Sequence, residues 1–77
     1  MEITLKYYGK LVELIGKTEE ILSIDSITVK ELILWLENEY PELAQLTIKV
    51  AQNNSIGLLE DPIIATEIDV FPPFSGG

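Results

Sequence analysis

The chain opens with a strict alternation of hydrophobic and polar positions. Between residues 3 and 8, Ile3, Leu5 and Tyr7 fall on one face, and Tyr8 falls on the opposite face. This period of two is typical of a half-buried β-strand. The same period returns in three later stretches, which predicts further strands at residues 19–27, 47–51 and 67–71.

Two stretches have the spacing of helices instead. Apolar residues at helical spacing in residues 11–15 precede Gly16, which suits the position just after a short helix. A clearer helix begins at Thr28, because its hydroxyl can accept the Glu31 N–H while the Glu31 carboxylate reaches back, forming a capping box. Pro41 ends this helix. Its apolar face, which should pack on a sheet, consists of Val29, Leu32, Ile33, Leu36 and Tyr40, with Trp35 at its margin.

Two breaks divide the second half of the chain. Asn53-Asn54 can adopt the positive φ angles of a tight turn and would return the chain through Ile56. Residues 60–62 form the other break, and the strand that follows places Phe71 on its outward face. The order ββαββ, with one main helix on one face of a sheet, predicts an α+β fold of the β-grasp type.

Length and composition limit the possibilities further. A chain of 77 residues with 47% hydrophobic content predicts one domain with a single core. We assign the β-grasp domain to residues 1–71 and an extended tail to residues 72–77. No apolar run approaches the roughly 20 residues of a membrane helix, and we expect neither a signal peptide nor a membrane association. The absence of Cys is compatible with a cytoplasmic location.

The charge of the chain bears on its partners. Thirteen acidic residues against five basic ones give a net charge of −8, which would repel nucleic-acid phosphates. The acidic surface would attract a basic surface on a protein partner. Solubility alone explains the charge equally well.

The sequence offers little catalytic chemistry of its own. Without Cys or His it has no thiol nucleophile, no soft-ligand zinc site and no His base. The acidic pairs Glu19-Glu20, Glu37/Glu39 and Glu60-Asp61 fall at expected turns, termini or exposed faces, where carboxylates are solvated. We therefore expect no metal site and no catalytic residue among the side chains. The distinctive reactive group is the carboxylate of Gly77.

The last seven residues are unusual for a folded domain. Pro72 and Pro73 lack the N–H of a strand, so pairing should stop at Phe71. Gly76 and Gly77 have no Cβ and pass through narrow spaces. The six residues from Pro72 onward reach roughly 20 Å when extended.

This ending, together with three internal segments, resembles the family of molybdopterin synthase small subunits. The members of this family are sulfur carriers of the ubiquitin-like, β-grasp type. The matching residues are Phe71-Pro72-Pro73, Ser75-Gly76-Gly77, Tyr7-Tyr8-Gly9, Glu13-Leu14-Ile15-Gly16 and Asn53-Asn54. The first helix lacks the arginine that is usual in this family. The family usually has an acidic-Gly turn before the last strand, and this chain has Ala65-Thr66-Glu67 there instead.

The resemblance implies a function for the tail. A ubiquitin-activating-like adenylyltransferase would use ATP to adenylate Gly77, and a persulfide would convert it to a thiocarboxylate. Docked on the large subunit of molybdopterin synthase, the tail would donate sulfur to the pyranopterin precursor, with no cofactor held tightly by this chain. The resemblance also places the first and last strands together at the sheet centre. The residues that it assigns to partner contact are Tyr8, Ile56 and Phe71, and those of the tail are Pro72, Pro73, Phe74, Ser75 and Gly76.

Three alternatives remain open on sequence grounds. A thiamine-type sulfur carrier shares the fold, but is usually shorter and lacks the Phe-Pro-Pro segment. A ubiquitin-like modifier would link Gly77 to lysines of target proteins. A plain acidic interaction domain would have a terminus that never reacts.

Overall fold

The first and last strands of the chain lie side by side at the centre of one sheet in the computed structural model, which describes residues 1–73. The elements are β1 (Glu2–Tyr7), α1 (Lys10–Ile15), β2 (Glu19–Ser23), α2 (Val29–Glu39), a 3-10 helix (Pro41–Gln45), β3 (Lys49–Gln52), β4 (Ser55–Ile56) and β5 (Glu67–Phe71). The strands are ordered β2-β1-β5-β3-β4. β1 and β5 run parallel, and every other neighbouring pair is antiparallel. The predicted α+β fold of the β-grasp type is confirmed.

Alternation along the two central strands builds the core. The buried faces of β1 and β5 carry Ile3, Leu5, Tyr7, Ile68 and Val70, each at most 3% exposed. These side chains form one hydrophobic cluster with the buried face of α2, as the helical spacing predicts. We call the opposite side of the sheet, which points away from α2, the outer face.

The sequence signals for turns and caps correspond to real geometry. Asn53 and Asn54 have φ angles of 53° and 63° and form the two-residue turn between β3 and β4. Gly16 caps α1 in the left-handed conformation, with φ 86°, and its N–H bonds the Val12 carbonyl at 2.8 Å.

The capping box of α2 is also confirmed. The Thr28 hydroxyl accepts the Glu31 N–H at 3.2 Å, and the Glu31 carboxylate accepts the Thr28 N–H at 2.9 Å. Two backbone N–H groups at the helix start are thereby satisfied.

We expect Thr28→Ala to lower the free energy of unfolding by about 1 kcal/mol, because the helix loses its cap. Urea denaturation measures this loss. Thr28→Ser, which keeps the hydroxyl, serves as the matched control and should stay close to the original stability. A denaturation midpoint unchanged in Thr28→Ala would contradict a stabilising role for the cap.

Two segments differ from the sequence-based expectation. β2 ends at Ser23 instead of continuing to Ile27, because its partner β1 has only Met1 left to pair with Ile24. Pro41 does end α2, but it also starts the 3-10 helix, which buries Leu43 completely. Pro suits this first position because the missing N–H would have had no partner there.

The segment between β4 and β5 is held to β3 by hydrogen bonds of the Gln52 side chain. Gln52 donates to the Pro62 carbonyl at 2.7 Å and accepts the N–H groups of Ile64 and Ala65 at 2.9 and 3.1 Å. Ile63, in the same segment, is 6% exposed and belongs to the core. No helix in residues 1–73 is long and apolar enough to cross a membrane.

Candidate functional site

The parallel pairing of β1 with β5 brings two aromatic side chains together where both strands end. Tyr7 pairs with Val70 in the register, so Tyr8 and Phe71 follow side by side on the outer face. Their rings stack, with centroids 4.9 Å apart and planes 18° from parallel. The predicted convergence of these two residues is observed, and their role in partner binding stays a prediction.

A hydrogen bond holds the orientation of the Tyr8 ring. The Tyr8 hydroxyl, from the residue directly after β1, donates to the carboxylate of Asp69 on β5 at 2.8 Å. This hydrogen bond is the main reason that the pKa of Tyr8 lies above its ordinary value. Next to it on the outer face, Lys6 and Glu67 form an exposed ion pair at 3.2 Å. Exposed ion pairs contribute little to stability.

The first residue of the tail lies against Gly9. A Cβ on Gly9 would stand 3.4 Å from Cγ of Pro72, and the φ of Gly9 is +56°, a conformation that other residues rarely adopt. The backbone angle therefore favours glycine here, and the distance shows that Pro72 lies within contact range of this position. We call Tyr8, Gly9, Phe71 and Pro72 the tail-exit site.

Ile56 lies on the same face but farther away. It pairs with Ala51, which in turn pairs with Asp69 of β5, so one strand separates Ile56 from the strand that carries Phe71. Its side chain is 50% exposed. The sheet thus brings Tyr8 and Phe71 into contact and leaves Ile56 at the edge strand.

The remaining predicted site residues lie outside the described part of the chain. They are Phe74, Ser75, Gly76 and Gly77. Pro73, the last described residue, is exposed. The tail-exit site therefore fixes where the tail leaves the domain.

Glu20 corrects the expectation that the acidic pairs are all solvated. The Tyr7 and Tyr40 hydroxyls both donate to Glu20 Oε1, the latter at 2.7 Å, and Lys17 Nζ lies 3.3 Å from Glu20 Oε2. Burial alone would raise the pKa of Glu20, but these hydrogen bonds outweigh it, and the pKa is lowered. Because Glu20 and Leu22 are two residues apart on one strand, strand alternation would have placed Glu20 on the core side.

Asp61 is also engaged in the structure. Its carboxylate accepts the Leu58 N–H at 2.9 Å and holds a turn. Both carboxylates stabilise the fold, and the hydrogen bonds described for them involve no residue of the tail-exit site.

We expect Glu20→Ala to lower the free energy of unfolding by about 2 kcal/mol at neutral pH, because the buried Tyr7 hydroxyl loses a charged acceptor. The folded-state pKa of Glu20 lies below its ordinary 4.5. The stabilisation by Glu20 is therefore fully present at a pH above the ordinary pKa of 4.5, and it is lost as the pH falls through the lower folded-state pKa. Urea denaturation over the acid range measures both effects.

Two control variants separate charge from packing in this cluster. Glu20→Gln keeps a hydrogen-bond acceptor and should lose only the acid-dependent part of the stability. Glu19→Ala, on the exposed side of the same strand, should change little. Equal losses for Glu19→Ala and Glu20→Ala would show that the cluster does not stabilise the fold.

Comparison with known proteins agrees with the fold and extends over nearly the whole chain. The ThiS family model matches residues 5–77. No curated protein matches the sequence. Several solved structures are similar to this one. One is small archaeal modifier protein 1 (SAMP1) from Haloferax volcanii, with 25% identity and a TM-score of 0.78 over all of both chains. Another is a putative molybdopterin converting factor subunit 1 from Pyrococcus furiosus, with 17% identity and a TM-score of 0.84 over 96% of this chain and 99% of that one. A third is SAMP1 from Methanosarcina acetivorans, with 24% identity and a TM-score of 0.65 over 99% of this chain and 96% of that one.

The Pyrococcus and Methanosarcina structures, below 25% identity, show the shared β-grasp fold only. The family match includes both the segment that carries Tyr8 and the sequence beyond Pro73. The expected resemblance to ubiquitin-like sulfur carriers is thus confirmed: the chain belongs to the ThiS family of ubiquitin-fold sulfur carriers.

Proposed function

We propose that this chain is the sulfur-donating small subunit of a molybdopterin synthase, with Gly77 as its reacting residue. The observation that carries the proposal is the tail-exit site, where Phe71 stacks on Tyr8 and Pro72 packs on Gly9. This contact fixes the start of a tail whose sequence ends in Gly-Gly. Family membership and the likeness to a molybdopterin converting factor subunit support the assignment.

The proposed chemistry activates a poor electrophile. The Gly77 carboxylate attacks the α-phosphorus of ATP, pyrophosphate leaves, and an acyl-adenylate forms. A persulfide sulfur then attacks the acyl carbon and displaces AMP, and a second thiol cleaves the resulting acyl disulfide to leave a thiocarboxylate. Because this chain has no Cys, the persulfide and the thiol belong to other proteins.

Two partners follow from this chemistry. A ubiquitin-activating-like adenylyltransferase binds ATP and performs the activation, so this chain needs no tightly bound cofactor. The large subunit of molybdopterin synthase receives the charged tail, with Tyr8, Phe71 and Ile56 as the contact residues on the outer face. The net charge of −8 suits a basic partner surface. A cytoplasmic location stays a prediction.

A second candidate function is protein modification. The observation in its favour is the 25% identity to SAMP1 from Haloferax volcanii over all of both chains, since that protein is named a modifier. Here the ε-amine of a target lysine would attack the acyl-adenylate or a thioester derived from it. The product would be an isopeptide bond to Gly77.

Mass spectrometry of the C-terminal peptide distinguishes these functions. The protein is incubated with ATP, an adenylyltransferase and a persulfide donor, and a parallel sample omits ATP. A sulfur carrier gains the mass of an oxygen-to-sulfur exchange on Gly77. A modifier, incubated with candidate target proteins as well, instead appears joined through Gly77 to their lysines, and digestion at Lys leaves the fragment that begins at Val50 on the target.

A second stage tests the pathway. The charged protein is mixed with a molybdopterin synthase large subunit and the pyranopterin precursor, and loss of the thiocarboxylate is followed. Discharge supports the molybdopterin assignment. Charging without discharge contradicts it and favours the thiamine-type carrier, and a tail that gains no sulfur at all contradicts both.

A further inference from the structure

Within residues 1–73, no further strand pairs with the β2 edge of the sheet. β2 ends the order β2-β1-β5-β3-β4 and has five residues, whereas β4 at the other edge has two. Ile24 and Met1 exchange two backbone hydrogen bonds of 2.8 Å, and antiparallel pairing alternates from there along the strand. The backbone N–H and C=O groups of Glu19, Ile21 and Ser23 therefore point away from β1, toward the open edge.

β2 lacks three features that often protect an edge strand, namely Lys, Pro and a bulge. An inward-facing charge can also protect an edge, but here the inward-facing Glu20 is held by Tyr7, Tyr40 and Lys17. The Ile21 side chain is 67% exposed on the outer face. Native edge strands are commonly blocked by such charges, prolines or bulges. This edge can therefore accept an additional strand.

A groove of about 270 Å³ lies beside the same edge, between β2 and α2. Its apolar walls are Leu22, Ile24, Ile27 and Trp35, which are partly buried and pack against the core. These walls are consequently held in place before anything binds. We call the open edge of β2 together with this groove the β2 groove.

The charges around the β2 groove are mostly negative. Asp25 and Glu31 line it and both are exposed, and Glu19 is exposed at the start of the strand. Lys17 is paired with Glu20 at 3.3 Å, and Lys30 on α2 is the neighbour of Glu31. A positively charged occupant fits this surface, and a second copy of this acidic chain does not.

We propose that the β2 groove binds an extended peptide segment of a partner protein, with aliphatic side chains at every second position and Lys or Arg at its ends. The segment adds a strand to β2, pairing with the backbone of Glu19, Ile21 and Ser23. Its aliphatic side chains enter the groove beside Trp35. This surface shares no residue with the tail-exit site, so the inference goes beyond the proposed sulfur transfer.

The test uses the full-length protein and the blocked peptide acetyl-Lys-Val-Thr-Val-Thr-Val-Lys-amide as a probe. Trp35 is the only tryptophan in the sequence, and its fluorescence should shift on binding. In amide hydrogen exchange, the N–H groups of Ile21 and Ser23 should gain about tenfold or more protection. Those of Leu22 and Ile24, which already point toward β1, should change little.

Charge variants test the specificity of the site. Asp25→Asn and Glu31→Gln should each weaken binding about threefold, and Gln at position 31 preserves the capping box. Glu39→Gln, on α2 but outside the groove, is the matched control and should bind as the original protein does. A peptide with Glu in place of both Lys should bind about tenfold more weakly.

Three results would overturn the proposal. The first is binding without protection of Ile21 and Ser23, and the second is equal affinity for the Lys-ended and Glu-ended peptides. The third is protection of these two amides in the protein alone that grows with protein concentration, because the occupant would then be a second copy of this chain.

Discussion

Adding one alanine after Gly77 is expected to reduce ATP–pyrophosphate exchange by the activating enzyme about a hundredfold or more. The extension moves the carboxylate by about 3.5 Å, and a displacement of even 1 Å can cost a hundredfold in rate. Thermal unfolding should be unchanged, because the added residue follows Gly77 and the contact of Pro72 with Gly9 at the start of the tail is left as it is. The measurement compares exchange rates at equal protein concentration.

Ser75→Ala provides the control for this experiment, because it changes a tail side chain and leaves the position of the carboxylate unchanged. It should support exchange far better than the extended protein. If the extended protein exchanges at the original rate, Gly77 is not the reacting residue and the sulfur-carrier proposal fails.

Phe71→Ala is expected to weaken association with the large subunit by about 2 kcal/mol, or roughly thirtyfold in Kd. The substitution removes one ring of the Tyr8–Phe71 stack, whose centroids are 4.9 Å apart. An aromatic pair on an outer face is typical of the residues that anchor an interface. Isothermal titration calorimetry measures the affinity.

The neighbouring residue supplies the matched comparison. Val70 is fully buried on the opposite side of the same strand, so Val70→Ala should lower the free energy of unfolding by about 2 kcal/mol. Its effect on affinity in the folded protein should be small. An unchanged Kd for Phe71→Ala would remove the aromatic pair from the docking surface.

Local signals in the sequence were sufficient for the caps, the turns and the core faces. Thr28 and Glu31 are close in sequence, and so are Asn53 and Asn54, so their geometry depends on few other residues. The stack of Tyr8 on Phe71 is different. It requires β1 and β5 to be parallel neighbours, and only the family resemblance supplied that pairing.

The features that sequence reasoning missed are side-chain contacts between distant elements. Glu20 receives hydrogen bonds from Tyr7 on β1 and from Tyr40 beyond the end of α2. A carboxylate beside Glu19 resembles any solvated acidic pair until the strand register places it on the core side. The contact of Gly9 with Pro72 depends on the tertiary pairing in the same way.

The central position of β5 makes the completeness of the fold a condition for presenting the tail. Tyr8 and Asp69 are 61 residues apart in the sequence, so the tail-exit site forms only after almost the whole chain has been made. Without β5, β1 and β3 have no shared neighbour and the sheet is split in two. An activating enzyme that recognises the tail together with a formed tail-exit site would therefore not act on incomplete or unfolded chains. ATP would then be spent only on carriers that have finished folding.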